Sequence, residues 1–208
     1  MKIGTKSVLF GAHCFLLHPF FVMVAWIKLY GFPFHPAIWL SFFFHDLGYW
    51  GKPNMDGEEG ETHVELGAKV LGFLFDKHKG TIMGFLSKST NEASYKWGNF
   101  SRYHSRFYAK KDGVNYSKLC VADKLAICLE PYWLYLPRVN WSGEINEYMA
   151  QANDGKYNSM KITTENQKKW FTDVCDYLRK WVDEHKELKV DTWTPEAKKA
   201  ITTSGVWQ

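Results

Sequence analysis

The stretch Phe43-Phe44-His45-Asp46-Leu47-Gly48 decides how this chain is read. An aromatic run delivers an adjacent imidazole and carboxylate into an apolar setting, where a charged Asp is costly to bury unless a cation neutralises it. The pair therefore points to a metal centre. Outward from it, His18, His63, His104 and Asp123 supply further nitrogen and oxygen donors, all near the ends of helical runs. Such donors suit iron, manganese or zinc, and no thiolate is placed to favour a structural zinc. A lone His on an apolar face is usually a hydrogen-bonded core residue, but the collected set reverses that expectation.

The segments that carry these residues read as helices. From His18 to Tyr30 the sequence is apolar and stops at Gly31, with Pro19 tolerable in the first turn. After a loop holding Pro33 and Pro36, Ala37 to Phe44 forms a second apolar helix that ends at His45 and Asp46. Gly51 to Gly60 is loop. Val64, Ala68, Leu71 and Phe75 recur at helical spacing within Thr62 to Phe75 and place His63 near a helix start. Further helices are expected at 81–87, at Gly98 to Tyr108 carrying His104, and at Ser117 to Leu129 carrying Asp123, the last ended by Pro131. Ser142-Gly143-Glu144-Ile145 resembles a capped helix start, and Thr164 to Lys186 is a long amphipathic helix with Trp170, Val174, Tyr177, Leu178 and Trp181 on one face. With no strand signal, the fold class is all-α.

Length and composition fit one globular core with a small C-terminal addition: 208 residues, 46% hydrophobic and 17% aromatic, too apolar for a disordered chain. The 26 basic residues are spread among 22 acidic ones, which argues against a nucleic-acid polymer as partner. Cys14, Cys120, Cys128 and Cys175 lack paired spacing and read as reduced thiols of a cytoplasmic protein. The longest apolar run, Cys14 to Ile27, is interrupted by His18 and Pro19 and is too short to span a bilayer, so no membrane association is expected.

Taken in order, Phe44-His45-Asp46-Leu47-Gly48, Thr62-His63-Val64-Glu65-Leu66-Gly67-Ala68, Arg102-Tyr103-His104-Ser105 and Val121-Ala122-Asp123-Lys124, ending in Leu129-Glu130-Pro131, resemble the HD-domain superfamily of helical metalloenzymes. The last segment is similar to that of bacterial members that hydrolyse dinucleoside polyphosphates. The resemblance implies an HD-domain helical bundle over 1–135 with a helical C-terminal extension over 136–208 packed on it. It also implies a two-metal subtype, with Asp46 bridging, His18, His45 and Asp123 around one ion and His63 and His104 on the other. The implied cofactors are two divalent or mixed-valent ions, iron first, with manganese and zinc as alternatives. Both His13 and His18 precede the first apolar helix; His18, thirteen residues before Gly31, is favoured as the first ligand. His35 reads as a turn residue, and His78 and His185 as solvated surface residues.

The expected activity is phosphohydrolysis of a nucleotide or related small phosphate ester. Lys52, Arg102, Arg106, Lys110 and Lys111 are cations available to hold phosphate oxygens, with Lys52 and Arg106 joining Asp46 in catalysis. A second chemistry shares the ligands: the set also resembles mixed-valent di-iron oxygenases that cleave a carbon-carbon or carbon-phosphorus bond of a small hydroxylated substrate. Leu47-Gly48-Tyr49, and His63 followed by Gly67-Ala68, are similar to the organophosphonate branch. A third reading is a binding module in which the aromatic-rich tail from Tyr132 onward forms a partner surface.

Overall fold

The apolar run before Gly31 folds as expected. Helix α2 spans Leu17–Tyr30, and Gly31 leaves it at φ +80°, a conformation open to glycine at no steric cost. Pro36 occupies the first turn of α3 (Pro36–Phe44), where its missing N–H is no loss, and the His35 imidazole caps the helix by accepting from the Ala37 N–H at 3.1 Å. His35 is thus a buried cap, stacked on Trp97 with ring centroids 4.2 Å apart.

This computed structural model describes residues 1–76, 96–152 and 162–186; the helix expected at 81–87 and His78 lie outside them. Among the described residues the chain is all-α, with no strand. Around α2 and α3 stand α1 (Ile3–Phe10), α4 (Glu58–Glu61), α5 (Val64–Leu71), α6 (Trp97–Arg102), α7 (Arg106–Lys111), α8 (Lys118–Leu129), α9 (Tyr132–Ser142), α10 (Ile145–Gln151) and α11 (Gln167–His185). A 3-10 turn, Leu47–Tyr49, follows α3, and a π turn, Gly72–Asp76, extends α5. Among the described residues no helix is long and apolar enough to cross a membrane.

One expected helix divides in two. In place of Gly98 to Tyr108, α6 ends at Arg102 and α7 begins at Arg106, and His104 sits in the break. Ser105 ends the continuity because it caps α7, its hydroxyl accepting from the Tyr108 N–H. The Tyr103 carbonyl, freed from a helical partner, accepts from the Ser117 N–H at 2.8 Å and ties the break to the start of α8.

Helix α8 is shared by three apolar clusters. Leu119, Ala122 and Ala126 pack with Val22, Ala25 and Trp26 of α2, Phe42 of α3 and Phe100 of α6. Cys120 and Val121 meet Val64, Tyr108, Trp181 and Val182. Cys128 joins Tyr135, Val139, Ile145, Trp170, Val174 and Leu178. The apolar stripe of α11 is therefore covered by its own chain: Trp170, Val174, Leu178 and Trp181 are buried. Asn166 starts α11, its side chain accepting from the N–H groups of Lys168 and Lys169.

Candidate metal centre

Five segments deliver the donors. His18 comes from the first turn of α2, and His45 and Asp46 leave the C-terminus of α3. His63 is the residue before α5, His104 lies in the break between α6 and α7, and Asp123 sits midway along α8. All six are buried, although the first and last, His18 and Asp123, lie more than a hundred residues apart in the chain.

They converge as two groups that share one residue. The ligand atoms of His18, His45, Asp46 and Asp123 lie within 4.8 Å of one another, as do those of Asp46, His63 and His104. In the first group, His18 Nε2 stands 3.0 Å from Asp123 Oδ1, 3.1 Å from Asp46 Oδ2 and 3.2 Å from His45 Nε2. His45 Nε2 is 3.1 Å from Asp46 Oδ2. In the second, His63 Nε2 lies 3.1 Å from His104 Nε2, and His104 Nε2 lies 3.2 Å from Asp46 Oδ1.

The backbone fixes which nitrogen faces inward. Nδ1 of His45 donates to the carbonyls of Ser41 and Phe42, that of His63 to Gly60 at 2.8 Å, and that of His104 to Ser101 at 2.6 Å. A carbonyl accepts only, so each Nδ1 carries a proton, and each ring, when neutral, aims an Nε2 lone pair at the centre. Two such lone pairs 3.1 Å apart, at His63 and His104, repel unless a cation or proton lies between them. The donors therefore fit a metal ion in each group.

Electrostatics agree. Burial works to raise the Asp46 carboxyl, but the charge of His45 and contacts from neighbouring imidazoles outweigh it and hold Asp46 well below the usual carboxylate range. Asp123 behaves likewise, with Lys124 as its strongest counter-charge, Nζ 2.8 Å from Oδ2. Burial opposes charge on His45 as well, yet Asp46 and Asp123 lift it to about 10, and the same two acids raise His18. His63 moves the other way, down to about 3, through burial and the neighbouring His104.

The expected cations occupy varied positions. Lys52 directs its ammonium at the Thr62 hydroxyl, one residue before His63. Arg102 is engaged with Glu65 at 3.1 Å, with Asp112 at 3.5 Å and with the Tyr108 ring. Arg106 lies over Trp181, 5.0 Å from the ring centroid, and Lys111 over Tyr108, while Lys110 is exposed on α7. His185, read as a solvated residue, is instead half-buried and stacked on Trp181 at 4.5 Å, its Nδ1 donating to the Trp181 carbonyl. Capping its own helix end and covering a ring outweigh hydration there.

Two further side chains stand beside the ligands: Tyr49, part of the stretch similar to the organophosphonate branch, and His13, the less favoured candidate for first ligand. Tyr49 is buried and stacks on His63, centroids 4.0 Å apart and planes 8° from parallel. His13 stands with Nε2 3.8 Å from Asp46 Oδ2. Comparison with protein-family models, curated proteins and solved structures gives no match.

Proposed function

We propose that this chain is a metal-dependent phosphohydrolase of the HD-domain type, acting on a nucleotide or related small phosphate ester through a pair of ions. One observation carries the reading: the Asp46 carboxylate turns Oδ2 to His18 and His45 and Oδ1 to His63 and His104, the disposition of a bridging ligand. Iron is the first choice, with manganese and zinc also suited to nitrogen and oxygen donors. Such a pair, when bound, brings a shared water toward a neutral pKa and stabilises the charge of an in-line displacement at phosphorus.

The chain's own work is holding and shielding. His18, His45 and Asp123 would hold one ion, His63 and His104 the other, and Asp46 would contribute to both. Backbone carbonyls keep the rings from turning. Beside the centre, a groove of ≈ 540 Å³ has Leu47, Trp50 and Leu66 as apolar walls and the ammonium groups of Lys52 and Lys69 for the remainder of an anionic substrate, its one carboxylate, Glu65, being paired with Arg102. The free thiols Cys120, Cys128 and Cys175, all buried, suit a reducing cytoplasmic setting.

The test is metal analysis of protein purified without chelator, followed by phosphate release across a nucleotide panel with manganese or ferrous iron. Two ions per chain and turnover that Asp46→Ala abolishes are expected; absence of turnover across the panel overturns the proposal.

Di-iron oxygenase chemistry is the second reading. It is favoured by the engagement of Arg102 and Arg106 away from the ligands, which leaves fewer cations for phosphate, and by the apolar walls Phe15, Phe42 and Phe43 beside His18, His45 and Asp46. Oxygen consumption with a mixed-valence paramagnetic signal would establish it, and equal activity with zinc under nitrogen would exclude it.

A further inference from the structure

A carboxylate that no part of the ligand set uses lies close to the centre. Glu144, just before α10, is fully buried, yet it accepts hydrogen bonds from Ser7 Oγ at 2.7 Å, the Ala12 N–H at 2.6 Å, Ser142 Oγ at 2.6 Å and the Tyr148 hydroxyl at 3.0 Å. Its Oε2 also stands 3.7 Å from His13 Nδ1. Burying a carboxylate this completely is costly, and four donors from four segments show a built arrangement and not a chance contact.

Ionised Glu144 only accepts, so the Ser7 hydroxyl spends its one proton on it. Ser7 Oγ then has only lone pairs for His13 Nδ1, 2.9 Å away, and Nδ1 must bring the hydrogen. The tautomer of neutral His13 is therefore fixed: Nδ1 carries the proton and Nε2 presents a lone pair. That lone pair points to the centre, 3.8 Å from Asp46 Oδ2, a distance too long for a hydrogen bond. The ring is further held by Tyr49, 4.6 Å away between centroids.

Where His13 faces His18, His45 and Asp46 there is a small cavity of ≈ 10 Å³, lined also by Val8, Phe15, Phe43 and Leu47. That is about the room one water needs. Resting on the dinuclear reading above, we propose that His13 is a catalytic residue and not a ligand: Nε2 accepts a hydrogen bond from the water that occupies this cavity and turns its oxygen toward the substrate. Ser7 and Glu144 are positioning residues that hold the ring in that tautomer.

The experiment combines metal analysis, turnover and nitrogen-15 spectroscopy on zinc-loaded and manganese-loaded full-length protein, with bis(4-nitrophenyl) phosphate as probe. Its good leaving group makes turnover sensitive to the attacking water. His13→Ala is expected to keep the wild-type metal content and KM while kcat falls about 100-fold or more, within the range for a positioned acid-base group. His13→Gln, which restores an acceptor, is expected to recover part of that loss. Ser7→Ala, a small change at a buried site, is expected to lower kcat about tenfold, keep the metals and mix the His13 tautomers in the nitrogen-15 spectrum, a change that a purely structural role would not produce.

Loss of an ion in His13→Ala would make His13 a ligand and overturn the proposal. So would an Nε2–H tautomer in the wild type, or unchanged kcat in the variant. Wild-type protein that takes up metal but leaves the probe untouched would count against the phosphohydrolase reading, while the tautomer still decides the assignment of His13.

Discussion

Gly48 and His63 pack so closely that a Cβ on Gly48 would fall 1.8 Å from the His63 carbonyl oxygen. The turn after Asp46 therefore rests directly on the backbone that presents His63, and no side chain larger than hydrogen fits between them. Gly48→Ala is expected to push the two segments apart and cost the protein the ion shared by Asp46, His63 and His104, with helix content preserved. Metal stoichiometry by plasma mass spectrometry beside far-ultraviolet circular dichroism checks this, and full occupancy in the variant would contradict the packing argument.

The two halves of the centre should come apart separately. His104→Ala removes a donor from one group alone and is expected to lower the metal content from two ions to one. Asp46→Ala removes the shared carboxylate and is expected to lower it further, because both groups lose a ligand. Equal stoichiometry in the two variants would mean that Asp46 does not bridge.

Loading should release protons. Near neutral pH the metal-free centre holds His45 protonated, since its neighbouring acids lift it to about 10, whereas His63 is already neutral and Asp46 and Asp123 already ionised. An ion entering beside His45 must displace that proton, so affinity falls about tenfold for each unit of acidification per proton released. Calorimetric titration of zinc at pH 7 in buffers of different ionisation enthalpy is expected to show at least one proton leaving per chain. Heats independent of buffer would refute this.

Metal should also stabilise the fold, because Asp123 sits on the helix shared by three apolar clusters. One site held at a hundredfold excess over its Kd adds about 2.7 kcal/mol. For a chain of this size that corresponds to a rise in Tm of about 5–10 °C. Differential scanning fluorimetry with and without chelator measures it; identical midpoints would mean that the ligands are equally well organised without the ion.

A change remote from the centre gives the matching control. Asn166→Ala deletes the cap of α11 and is expected to cost about 1 kcal/mol, read as a lower denaturant midpoint. Metal content should stay at the wild-type value.

The helical class and the donor set were legible in the sequence because each has a local signature. Gly31 and Pro36 mark helix boundaries through their own backbone limits, and His45-Asp46 after an aromatic run is costly to bury without a partner. The break at Tyr103–Ser105 was not legible, because Ser105 can continue a helix or cap one and the choice is made by the distant Ser117 amide. Helix α1 carries no comparable signature, because its apolar residues show little periodicity over only 8 residues. Nor does anything near Glu144 or Ser7 reveal their contact, which spans 137 positions.

That span also orders events during synthesis. Ser7 leaves the ribosome early, but the acid that aligns it emerges only after Glu144 has been translated, later than all six donors. In the order of synthesis, the contact that orients His13 is therefore among the last of the centre's surroundings to become available, as are the helices that cover α8.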